Sequence, residues 1–205
     1  MAIPHSELQS LNPSAILELF VLELVEGLHY ATGNPDSVPT TFRFHSGCNM
    51  NSKGEIVWQG NSYQRLPIEA RGFSYTGKGQ TPRPQLTISN FGGITRSGSV
   101  IDVSGFLKII NQTTAHNDLL NAKLTRLQVL ASSLDNANFS SGSNPFGTPN
   151  SDELPQEIYF IERKTIENRL VVQFELVGRL DVENKMLPAR QVTRADFPAV
   201  GTFVT

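Results

Sequence analysis

The sequence predicts a mainly β fold, an antiparallel β-barrel or sandwich with short helical insertions and extended arms. Three observations point to it. Residues 40–45 (TTFRFH) and 170–177 (LVVQFELV) alternate apolar and polar side chains, the period of two expected of strands with one buried face. Turn formers, Asn51-Ser52-Lys53-Gly54, Gly60-Asn61-Ser62 and Glu167-Asn168, separate such runs at hairpin spacing. The runs number about eight, and most connections are too short for parallel crossovers, so antiparallel pairing is expected.

Along the chain, Ser6 caps a short helix over residues 6–11, and Pro13 stops it from continuing past Asn12. Residues 16–25 are apolar almost throughout. The alternation at Leu22-Glu23-Leu24, followed by breakers at Gly27 and Gly33-Asn34-Pro35, favours a strand from about Leu17. Residues 40–45 and 55–59 pair as a hairpin across the turn ending at Gly54. Residues 63–75 read as a long strand interrupted at Pro67, which implies an edge position or a bulge. A strand at 86–89 precedes a change of pattern. Ile101, residues 105–110 and Asp118-Leu119-Leu120 carry apolar groups at helical spacing, as two short helices or turns. Leu124, Leu127, Leu130 and Leu134 fit either a helical stripe or one arm of a β-hairpin.

The later chain is divided sharply by composition. Residues 138–155 are rich in Ser, Gly, Pro and Asn and read as a long flexible loop outside the core. Residues 157–164 and 170–177 form the clearest hairpin, with Leu170, Val172, Phe174 and Leu176 on one face. From residue 187 onward periodicity fades and an extended run is expected. The organisation is therefore a β-rich domain over residues 1–190 and an extended C-terminal segment over 191–205.

Composition excludes several classes. A chain of 205 residues supports a real core. Lys+Arg 17 against Asp+Glu 19 gives a net charge of −2, with no polybasic footprint for nucleic acid. No apolar run approaches the roughly 18 residues of a membrane span, and MAIPHSELQS lacks the order of a signal peptide. A soluble product made in a cytoplasm is expected. The single cysteine, Cys48, rules out an internal disulfide and a cysteine-rich metal site; His45-Ser46-Gly47-Cys48 offers two ligands where a structural metal needs four. Charged residues at 18% are sparse, which fits a surface largely covered by partners.

The candidate catalytic motifs fail on chemistry. Gly72 to Lys78 matches the G-x4-G-K core of a phosphate-binding loop, but Gly79 replaces the magnesium-binding hydroxyl. Pro82 and Pro84 deny the helix whose N-terminus would face phosphates. A glycine-rich turn with Lys78 in solvent is the better reading. No G-x-S-x-G elbow is present, and Gly92-Gly93 lacks the third glycine of a dinucleotide site. Asp102, His116 and Asp118 resemble an acid–base set, yet His116-Asn117-Asp118 sits in a polar turn, where Asn and Asp favour helix capping. Glu69 and Glu175 are strand carboxylates whose pairing the sequence leaves open. Trp58 alternates with Ile56 into one strand face, a core position. Arg83, between two prolines, is either solvated or anchors a carboxylate.

Several segments carry short motifs that follow one another along the chain. The W-Q-G-x-x-Y-x-x-x-P-I pattern occurs as Trp58, Gln59, Gly60, Tyr63, Pro67 and Ile68. G-F-x-x-x-G-K-G follows as Gly72, Phe73, Gly77, Lys78 and Gly79, then R-P-x-L-T-x-S-N as Arg83, Pro84, Leu86, Thr87, Ser89 and Asn90. Leu134, Asp135, Asn138 and Phe139 match L-D-x-x-N-F, and Leu187-Pro188-Ala189-Arg190 matches L/F-P-x-R. Together, in this order over roughly residues 14–192, these segments resemble the minor tail protein L family of long, non-contractile-tailed phages of the lambda type.

The resemblance implies a hub-type β domain that is a structural, non-enzymatic part of the virion tail tip, assembled in the host cytoplasm. It implies a place between the distal tail protein and the central receptor-binding hub or fibre protein. There it would self-associate in a ring, with a trimer expected, around a channel whose DNA is cargo. Family members often continue into a cysteine-containing region holding an iron–sulfur cluster. Residues 191–205 contain no cysteine, so no cofactor is expected here. Arg190, Phe197 and Phe203 are the expected interface residues, and segments 138–155 and 187–205 are expected to order only against neighbours. A receptor- or glycan-binding virion domain is the alternative, weakened by aromatics of only 8%.

Overall fold

A computed structural model describes residues 4–34, 39–47, 54–73, 82–91, 93–96, 99–179, 192–194 and 196–199. Helix α1 spans His5–Leu8 and strands β1 and β2 span Ile16–Glu23 and Thr41–His45. Strands β3 (Glu55–Trp58), β4 (Asn61–Arg65), β5 (Ile68–Arg71) and β6 (Gln85–Ser89) follow. A small hairpin, β7 (Ile94–Arg96) and β8 (Ser99–Ile101), leads into helix α2 (Val103–Ile110). Strands β9 (Lys123–Leu130), β10 (Glu157–Glu167) and β11 (Val171–Gly178) complete the set.

Nine strands form one sheet in the order β3-β4-β2-β1-β9-β10-β11-β6-β5, and β7-β8 stand apart. The mainly β expectation holds. The sheet is open, because β3 and β5 are its two ends and do not pair with each other.

Alternation along β1 explains how the two faces are built. Phe20 and Leu22 join a large apolar cluster with Phe42, Phe44, Leu86, Ile161, Val172, Phe174 and Leu176. Leu19 points the other way, into a smaller cluster with Ile56, Trp58, Tyr63, Leu127, Val129 and Leu134. Helix α2 covers the larger face. Its buried Val103, Phe106, Leu107 and Ile110 lie at i, i+3, i+4 and i+7, one stripe of a helix. Asp102 begins it by accepting a hydrogen bond from the Gly105 N–H at 3.1 Å.

Several expectations are corrected. Helix α1 starts at His5 with Pro4 as its N-cap residue, so Ser6 lies inside it. Residues 40–45 and 55–59 do not pair. β3 pairs with β4, while β2 pairs antiparallel with β1 and parallel with β4. The cause is the two-residue turn Gln59-Gly60, both in the left-handed region (φ 50° and 72°), which closes β3 onto β4 directly. Asn61 therefore begins a strand rather than a turn. The expected long strand at 63–75 is two strands, β4 and β5, lying toward opposite ends of the sheet. Pro67, which has no N–H to donate, marks the switch, and β5 is an edge strand as its proline implied.

Residues 124–134 are strand β9 followed by a 3-10 turn, Ala131–Ser133, which resolves the helix-or-strand ambiguity. The hairpin of β10 and β11 is as expected, but Leu170 is 59% exposed, outside the row of Val172, Phe174 and Leu176. Its N–H and that of Val171 both donate to the Asn168 side chain at 2.8 Å, so Leu170 belongs to the turn. Residues 138–155 are irregular but not outside the core. Asn138, Asn144 and Glu153 are buried there.

Candidate functional site

The motif segments converge on a clasp around one end of the sheet. The turn Gln59-Gly60 presents two backbone N–H groups that β4 does not use. The Asp135 carboxylate accepts both, from Gln59 at 3.1 Å and from Gly60 at 2.7 Å. One turn further on, Asn138 works in both directions on edge strand β3. Its Oδ1 accepts from the Val57 N–H at 2.7 Å, and its Nδ2 donates to the Val57 carbonyl at 2.6 Å. Nδ2 also donates to the Asp135 carbonyl at 2.8 Å, which holds the 3-10 turn Asn136–Asn138 in place. Beneath, Trp58 and Tyr63 are buried against Leu134, with Phe139 half-buried alongside. The W-Q-G-x-x-Y and L-D-x-x-N-F segments, about 75 residues apart, are thus two halves of one device that closes the β3 edge.

A second convergence lies at the β5–β6 end. Gly72 adopts φ +83°, and a Cβ there would sit 3.4 Å from the Pro84 Cα. The left-handed backbone there favours glycine, while a Cβ would make only ordinary contact. Phe73 packs edge-on against Tyr159 with ring centroids 5.2 Å apart. The Arg126 guanidinium lies 4.7 Å from the Phe73 ring centroid, and it bridges Glu157 at 2.6 Å and Glu18. Burial opposes its charge, but the carboxylates outweigh that and hold its pKa above the ordinary arginine value. Three strands, β1, β9 and β10, are tied together at this one side chain.

Arg83 anchors carboxylates rather than standing free. It reaches Glu162 at 2.7 Å and Glu175 at 3.4 Å, and Arg163 also holds Glu175 at 2.7 Å. The Arg163 hydrogen bond, then that of Arg83, keeps the Glu175 carboxyl below the usual range despite some desolvation. Glu69 pairs instead with Arg71, so Glu69 and Glu175 are no carboxylate dyad. Because Arg83 is 35% exposed, Arg83→Ala is expected to cost less than about 1 kcal/mol. Urea unfolding checks it.

The other candidate groups serve structure. Asp118 accepts from the Asn111 side chain at 2.8 Å and from Lys164 at 2.9 Å. Burial works against its ionised form, yet those two bonds leave its pKa lowered. Together with the Asp102 cap, this accounts for the apparent acid–base set. A slot of about 210 Å³ opens between β2 and β4, lined by Thr41, Phe42, Arg43, Ser62 and Gln64. It is below the usual size of a small-molecule site. Pro67 lies in the connection from β4 to β5, Ile68 begins β5, and Phe197 is 45% exposed. Gly77, Lys78, Gly79, Arg190 and Phe203, the phosphate-loop comparison and Cys48 lie outside the described residues. Asn144 and Arg126 had no signal beyond ordinary loop and strand composition. Cys48 is the one cysteine of these 205 residues, and among the described residues no three His, Cys, Asp or Glu side chains gather.

Comparison with known sequences decides the family. Residues 36–198 match the phage minor tail protein L family. The chain belongs to that family. Tail tip protein L of Escherichia phage lambda is 30% identical over 145 residues, which cover 70% of this chain and 55% of the lambda protein. The chain thus spans about half the length of that relative. Family membership makes it a structural protein of the phage tail, located in the virion, and not an enzyme. Among the described residues no helix is long and apolar enough to cross a membrane.

Two buried histidines give this tail protein a defined acid response. His29 accepts the Val25 N–H at Nδ1 (2.8 Å), so Nε2 carries the proton facing the Leu120 carbonyl at 3.1 Å. Burial lowers its pKa, against the opposing carbonyl bonds. Burial likewise lowers His45, whose Nε2 lies 3.1 Å from the Gly54 carbonyl. A depressed histidine contributes stability that is full above the unfolded pKa, about 6.5, and lost as pH falls through the folded value. Glu175 and Asp118 act with the same sign at lower pH, below about 4. Thermal melting is therefore expected to fall in two stages on acidification, the first between neutral pH and about pH 5. A melting temperature flat over that first interval contradicts it.

Proposed function

We propose that this chain is a structural component of the tail tip, working by assembly rather than by chemical change. Its place is the ring between the distal tail protein and the central receptor-binding hub or fibre protein. Three copies surround the channel through which DNA passes as cargo, and they support tail assembly and genome delivery. The ring forms in the host cytoplasm and requires no cofactor in this chain. Arg190, Phe197 and Phe203, with the loop at 138–155, face neighbouring subunits. In that loop Phe146 is 57% exposed beside Phe139, an apolar contact surface of the kind assembly uses.

The observation carrying this reading is the match to a protein named for the tail tip over 70% of the chain. The test is electron microscopy of tails carrying an epitope-tagged copy. Label confined to the distal end supports the placement. Label along the tail tube, or tails that form normally without the chain, overturns it.

A further inference from the structure

The two ends of the nine-stranded sheet are treated differently. At β3 the outward N–H and C=O of Val57 are taken by Asn138, and the N–H groups of the turn by Asp135. That edge is sealed against another strand. At β5, among the described residues, no further strand pairs on the outer side. Its phase follows from one bond: the Pro67 carbonyl accepts from the Ser89 N–H at 2.9 Å. Glu69↔Thr87 and Arg71↔Gln85 are then the pairs that exchange bonds with β6. The N–H and C=O of Ile68 and Ala70 point outward.

The sequence of this open edge is self-complementary. Glu69 and Arg71 flank Ala70 on the solvent face, 57% and 76% exposed, and bridge each other within the chain, an exposed pair that can exchange partners at little cost. Ile68 and Ala70 face the larger apolar cluster. If two copies meet antiparallel with Ala70 opposite Ala70, both Ala70 residues exchange N–H and C=O bonds, as their outward phase requires. Glu69 of each copy then faces Arg71 of the other at the close, non-hydrogen-bonded pairs, where opposite charges attract. Gly72, in the left-handed region, ends the ladder on both sides.

We propose that the free chain pairs with a second copy through β5, joining the two sheets about a two-fold axis centred on Ala70. A two-fold contact does not propagate around a three-membered ring, so this dimer is a form of the unassembled protein that covers its open edge. The contact is short, well under the roughly 1,200–2,000 Å² of stable interfaces, so the dimer is weak and concentration-dependent.

Analytical ultracentrifugation of the full chain over a concentration series tests this independently of where the protein sits in the tail. The wild type is expected to shift from monomer to dimer as concentration rises. Glu69→Arg replaces attraction by repulsion at two equivalent pairs and is expected to weaken dimerisation roughly tenfold or more. The double variant Glu69→Arg with Arg71→Glu restores it. Ala70→Pro removes the outward donor while leaving the β6 ladder intact, and it is expected to be monomeric with an unchanged circular dichroism spectrum. A wild type monomeric throughout overturns the proposal, as does a higher oligomer. So does a dimer indifferent to Glu69→Arg, or a double variant as weak as the single one.

Discussion

Replacing Asn138 by alanine is expected to destabilise the protein by about 2–4 kcal/mol. The side chain is 1% exposed and makes bonds to Val57 N–H, Val57 C=O and the Asp135 carbonyl. Alanine leaves these backbone groups without partners in a site that water reaches poorly, and each such group costs about 1–3 kcal/mol. Partial relaxation keeps the sum below the simple total. Asn138→Asp separates the two roles. It keeps the acceptor for Val57 N–H but sets a carboxylate against two carbonyls, so it is expected to be no better than alanine. Chemical denaturation reads both variants. A loss under about 0.5 kcal/mol, within the range of an ordinary surface change, contradicts the clasp.

Phe106→Ala carries the second large effect, about 3–5 kcal/mol. Phe106 is 1% exposed on α2, and its ring meets Phe42 edge-on with centroids 4.9 Å apart. It anchors the helix covering the larger face of the sheet, so its removal leaves a void that strands of fixed register cannot close. Phe106→Leu keeps most of the volume and is expected to cost less than half as much. If both substitutions cost equally little, α2 is not seated on the sheet as described.

What the sequence made legible follows period and turn chemistry. The Val172, Phe174 and Leu176 row and the core placement of Trp58 are local consequences of alternation. Pairing was harder. Alternation in residues 40–45 and 55–59 suggests that the two pair, but the left-handed Gln59-Gly60 turn closes β3 onto β4, and the Asp135 carboxylate that holds this turn lies far along the chain. The loop at 138–155 misled for a related reason. Its Asn and Ser content resembles mobile linker, yet Asn144 Nδ2 donates to three carbonyls, those of Ala131, Ser132 and Leu134. Polar composition does not separate a loop bound to water from one bound to the domain's own backbone. Of the residues quoted in those motifs, Gln59, Gly60, Asp135 and Asn138 meet in the clasp, and Gly72 lies against Pro84.

Native mass spectrometry of the purified chain mixed with the other tail-tip proteins of its own phage tests the assembly role most directly. Incorporation of several copies into one defined complex is the expected result, with no small molecule consumed. A chain that stays apart from every tail component contradicts it.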